Sequence, residues 1–168
     1  TRTDFSQLPL FKSTVGIAKV KALIWRNSFR QDYSIYSPQA DQSAESPPES
    51  RVAIYTDQME AGLRMPTMRF FQDILRYWEA RITKLVSNSI WILIRFEILC
   101  QERGETPTIN LFRQCYKIKN NGSERGWFYF GNRNTNIPKL VKDFPTSIKR
   151  WKNNFVFIPT EDFPRSFW

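Results

Sequence analysis

The sequence predicts an α+β fold: a helical core of three to four helices, with a small antiparallel β-sheet in the C-terminal third. Three observations carry this. Between residues 56 and 116 apolar side chains recur at helical spacing, and two short aromatic or β-branched runs, Trp127-Phe-Tyr-Phe130 and Phe155-Val-Phe-Ile158, follow near the end. Helices first and strands after place the two element types in separate layers. The chain has 168 residues, with six Trp, six Tyr and fourteen Phe to fill a core. A single domain of that size buries roughly two-thirds of its unfolded surface.

Residues 17–26 are expected to form a short helix within an N-terminal segment, 1–36. Residues 37–50 hold no large apolar side chain and concentrate Pro, Ser and acids, which predicts a flexible loop or linker. The compact domain is therefore expected over 51–158, with 159–168 as a tail. The chain opens on Thr1 and not on Met, as expected of a piece of a longer product.

Val52-Ala-Ile-Tyr55 suits a short strand. Thr56 can cap a brief helix that stops at Gly62, where glycine takes the left-handed conformation at low cost. Pro66 suits the first turn of a longer helix, in which Met68, Phe71, Leu75, Trp78 and Ile82 make one stripe. Arg69 and Asp73 lie four apart on its polar side, able to pair. Ser87 or Asn88 is expected to cap the next helix, which ends before Gly104. Ile90, Trp91, Leu93, Ile94, Phe96, Ile98 and Leu99 cover almost its whole circumference, so it should be central and buried, with Trp91 as an anchor. Thr106-Pro107 is expected to open a third helix carrying Ile109, Phe112 and Tyr116 on one face. Asn120-Asn-Gly122 signals a turn, and Ser147 is placed to cap a helical turn through Trp151.

Histidine is absent, which excludes Ser-His-Asp and Cys-His hydrolysis and His-containing zinc sites. Cys100 and Cys115 are too few for a four-cysteine zinc site and are expected to be free buried thiols, with a disulfide as the alternative. The glycine-rich loops that cradle phosphates are missing, so no cofactor is expected. Asp57, Asp73 and Glu97 are the acids to weigh for a two-metal strand-transfer site. Two of them fall on helices and Asp57 in a first turn, where an acid complements the macrodipole. No catalytic or metal site is expected. The apolar run 90–94 is broken by Arg95 and Glu97 and is far short of the roughly 20 residues that span a membrane. An intracellular protein, nuclear or cytoplasmic, is expected, with no membrane partner.

The net charge is +9, and residues 111–168 carry eleven Lys or Arg against four Asp or Glu. Such a surplus favours an anionic partner. The candidate nucleic-acid contacts are Lys117, Lys119, Arg133, Lys149, Arg150 and Lys152, with Trp151 among them. Cations that meet phosphates beside rings that stack on bases make a general single-strand surface. For the strand aromatics two readings stand: Trp127 and Tyr129 share one face and Phe128 and Phe130 the other, and either pair serves the core or the bases.

The order of these signals carries a resemblance. Arg51-Val-Ala-Ile-Tyr55, Gly62-Leu-Arg-Met-Pro66, Leu85-Val-Ser-Asn88, the apolar helix ending in Leu99-Cys100, Thr106-Pro-Thr-Ile-Asn-Leu-Phe112, Gly126-Trp-Phe-Tyr-Phe130 and Ile148-Lys-Arg-Trp-Lys-Asn-Asn-Phe-Val-Phe157 together resemble, over residues 50–158, a plant family of gypsy-type transposase domains found in retrotransposon-related proteins. Met65 stands where that family usually has Phe or Leu, and Ser87 where it usually has Pro. The resemblance implies a non-enzymatic, gag-region-like module that binds RNA or single-stranded DNA, self-associates or meets other element-encoded proteins. The alternative is a protein-interaction module in a host protein that captured a transposon fragment.

Overall fold

The computed structural model describes residues 13, 15–16, 18–19, 21–22, 34–64, 67–121, 126–136, 139–142 and 151–162. Of the helix expected over 17–26, residues 18–19 and 21–22 are helical and the others lie outside that set, as do Met65, Pro66 and Ser147. The described elements run β1 (Arg51–Tyr55), α1 (Thr56–Glu60), α2 (Arg69–Tyr77), α3 (Ser87–Glu102), α4 (Ile109–Cys115), β2 (Tyr116–Asn120), β3 (Phe128–Asn132) and β4 (Phe155–Pro159). This is the α+β class that the sequence predicts. The strands, however, form two sheets: β1 pairs antiparallel with β4, and β2 with β3.

The β1–β4 sheet works as a partition, because period-two alternation gives each face its own cluster. Val52, Ile54, Val156 and Ile158 face the helical core. Ala53, Tyr55, Phe155 and Phe157 face a second cluster with Ala44 and Trp127. The register places Ala53 opposite Phe157 and Tyr55 opposite Phe155. Burial is therefore two-sided, and neither strand shows the polar alternation of a solvated sheet.

The helix boundaries follow local chemistry that the sequence only half announces. Thr56 is the first residue of α1 and not its cap; the Gln58 side chain accepts from the Tyr55 N–H (3.1 Å) instead. The same Gln58 amide donates to the carbonyls of Ile82 and Leu85, both at 2.8 Å, and is fully buried. Gly62 ends α1 with φ +107°, as expected, and Leu63 is buried. In α2, Phe71 and Leu75 are buried as the stripe predicts, with Phe70 and Ile74 beside them, whereas Met68 is exposed. Arg69 and Arg76 both reach Asp73, at 3.9 and 2.8 Å.

Several expectations about α3 and α4 are corrected. No side chain caps α3; Val86 precedes it, and its N–H donates to Phe128 O at 3.0 Å, so strand pairing replaces the cap. Ile98 is 46% exposed and Trp91 only half-buried under the Arg95 guanidinium, 4.7 Å away, so α3 is buried on one side and Trp91 is not its anchor. Thr108, not Thr106, caps α4, its hydroxyl accepting from Leu111 N at 3.2 Å. Phe112 is fully buried on α4, but Tyr116 already belongs to β2. Cys100 and Cys115 are free thiols.

Residues 37–50 form a loop fastened to the domain. Tyr36 and Phe157 exchange backbone hydrogen bonds (2.8 and 2.9 Å), Ala44 is buried in the second cluster, and Glu45 is ion-paired with Lys84. Composition, which suggests flexibility here, does not register single anchoring residues.

Candidate nucleic-acid interface

β2 and β3 form a hairpin closed by Asn121 N–H to Trp127 O (2.8 Å); part of the expected turn lies outside the described residues. Antiparallel register puts opposed residues on one face. Tyr116, Ile118, Phe128 and Phe130 therefore turn toward the core, with Phe130 buried against Phe112 (ring centroids 5.1 Å apart). The Phe130 N–H donates to the buried Ser89 hydroxyl at 3.0 Å, which ties the hairpin to α3.

The opposite face carries Lys117 opposite Gly131 and Lys119 opposite Tyr129. Lys117 is exposed, Lys119 and Tyr129 are half-buried, and the Lys119 ammonium lies 6.0 Å from the Tyr129 ring centroid. Gly131 lets the Lys119 side chain pass across the strand: a Cβ there would meet its Cδ, Cε and Nζ at 2.9–3.0 Å. Beyond Gly131 lies a cavity of about 300 Å³ lined by Ile92, Lys119, Phe130, Gly131, Asn132, Thr135 and Lys139. The face thus joins two ammonium groups, one aromatic ring and a lysine-rimmed groove. Cations of this kind meet phosphates, and a half-exposed ring stacks on a base.

The other predicted contacts go elsewhere. Arg133 follows β3 with its guanidinium donating to the Arg113 carbonyl, and its backbone N–H donates to Cys115 O (2.8 Å). Lys149 and Arg150 lie outside the described residues. Lys152 is not the exposed cation that its sequence setting suggests: it is 7% exposed, with its ammonium 4.8 Å from the Trp127 ring centroid. Trp151 is half-buried, its ring 4.7 Å from that of Trp127 and 4.8 Å from that of Tyr55. These two residues belong to the second cluster and are not on the hairpin face. The strand aromatics divide in the same way: Trp127 is core, and Tyr129 remains for the outer surface.

That second cluster has its own electrostatics. Lys84 is buried, paired with Glu45, and 5.2 Å from the Trp127 ring centroid. Burial, and secondarily the Glu45 charge, push the Tyr55 phenol above its ordinary value, and its hydroxyl has no hydrogen-bond partner among the described residues.

Asp57, Asp73 and Glu97 sit apart, on α1, α2 and α3. Among the described residues no group of three or more His, Cys, Asp or Glu gathers as a metal site would require. Burial raises the carboxyls of Asp57 and Glu97 above the usual range, with Glu60 adding to the effect at Asp57. No described helix is long and apolar enough to cross a membrane. Tyr129 was within reach of sequence reasoning, as an aromatic in a predicted strand, whereas the role of Gly131 depends on which strand pairs with β3. The pairing of β2 with β3 was not.

No curated protein and no solved structure matches the chain. Residues 52–120 match the family model described as "Putative gypsy type transposon". That match begins in β1, takes in all four described helices and ends with β2. That similarity supports a gypsy-type transposon-related domain over residues 52–120.

Proposed function

We propose that this chain is a non-enzymatic domain of a plant retrotransposon-derived, gag-region-like protein, and that it binds single-stranded RNA or DNA through the outer face of the β2–β3 hairpin. One observation carries the reading: Lys117, Lys119 and Tyr129 share a face that the core does not use. The charge distribution supports it, since the surplus of Lys and Arg lies in the last third of the chain.

The mechanism is electrostatic attachment with stacking. Lysine ammonium groups neutralise phosphates and release counterions, and the Tyr129 ring supplies a sequence-tolerant surface for a base. Titrating a single-stranded oligonucleotide at several salt concentrations tests this. Binding that weakens steeply and log-linearly with salt is expected. Failure to bind at low salt would refute the proposal and favour a protein-interaction module.

A further inference from the structure

We infer that the groove beside Gly131 takes a single nucleotide, with its base on the apolar floor and its phosphate between two lysines; this rests on the hairpin face being a nucleic-acid surface. The cavity of about 300 Å³ lies at the small end of ligand pockets, which run to roughly 1,000 Å³. Ile92 from α3 and Phe130 from β3 give it an apolar floor, 5% and 3% exposed. Lys119 and Lys139 are the charged groups among its lining residues, both cationic, and no acid lines it. Asn132 and Thr135 add an amide and a hydroxyl, the donors and acceptors that meet a base edge.

Gly131 is one of the groove's lining residues and leaves room for the end of Lys119 beside it. A side chain there would displace the end of Lys119 and narrow the opening between β3 and the loop that follows it. An apolar floor with cations and no anion matches a planar base joined to a phosphate. It fits an unpaired nucleotide, because a base in a duplex keeps both faces stacked and its edge paired. The hairpin face would then hold the strand, and the groove would hold one unstacked base of it.

The test uses the full chain and adenosine 5′-monophosphate, with inorganic phosphate as the comparison, followed by amide resonances in NMR. The nucleotide should shift Gly131, Asn132 and Thr135 at millimolar concentration, and phosphate should shift them several-fold less. Gly131→Val, whose new Cβ meets the flexible end of Lys119 first, should abolish the nucleotide shifts while leaving the rest of the spectrum folded. Lys139→Ala, at an exposed position, should weaken them without moving their location, and it serves if the valine variant does not fold. Equal shifts from phosphate and nucleotide, or shifts centred away from the groove, would overturn the inference. If single strands still bind with a steep salt dependence in that case, the hairpin reading stands and only the groove is lost; if strands do not bind, both fall.

Discussion

Glu45 and Lys84 form an ion pair between a loop and a 3₁₀ turn, 39 residues apart in sequence, with the lysine side chain 6% exposed. The pair fixes the loop over the face of the β1–β4 sheet that carries Trp127. A buried ammonium is tolerable only with a counter-charge, and removing one partner of a buried pair costs about 3–5 kcal/mol. Glu45 is 21% exposed, so Glu45→Gln is expected near the lower end, about 3 kcal/mol. In a domain of this size that lowers Tm by roughly 6–12 °C. Limited proteolysis should also quicken within 37–50. An unchanged melt and digest would show that the loop is held by other contacts.

The two tryptophans most open to misassignment separate cleanly. Trp127 is 1% exposed and surrounded by Tyr55 and Trp151, whereas Trp91 is half-buried. Trp127→Ala should destabilise by about 3–5 kcal/mol, as for large aromatic truncations in cores. Trp91→Ala should cost less than half of that. Urea titrations of both variants decide it, and equal losses would contradict the burial described.

Glu97 is buried on α3 with no cation in ion-pair reach among the described residues. Desolvation raises its pKa, as burial does chiefly for Asp57, so the folded chain holds these protons more tightly than the unfolded one. Stability should therefore fall as pH rises from the ordinary carboxylate range through the raised values. Glu97→Gln should flatten that fall and raise Tm at pH 7. A variant less stable than the parent at pH 7 would mean that the carboxylate has a stabilising partner.

Much of the fold was legible because its signals are local. The stop at Gly62, the Phe71 and Leu75 stripe and the strands around Phe130 and Val156 follow from spacing and residue type. What escaped is non-local. Gln58 bonds two carbonyls more than twenty residues away, Ser89 receives the Phe130 N–H, and β4 pairs with β1 across the whole helical core. No periodicity encodes such partners. At the proposed interface, composition pointed to Lys117, Lys119 and Lys152 alike, and it gave no sign that Lys152 withdraws into an aromatic cluster, since that depends on where Trp127 lands.

The most direct test is the salt dependence of binding by Lys117→Ala/Lys119→Ala. Each phosphate contact on a single strand contributes about 0.7 to the slope of log K against log salt. The double variant, titrated with single-stranded RNA at several salt concentrations, is expected to bind more weakly and to lose about 1.4 from that slope, with only a modest change in Tm, because Lys117 is exposed and neither lysine is in an ion pair among the described residues. An affinity and slope identical to the parent's would place the interface elsewhere and contradict the account.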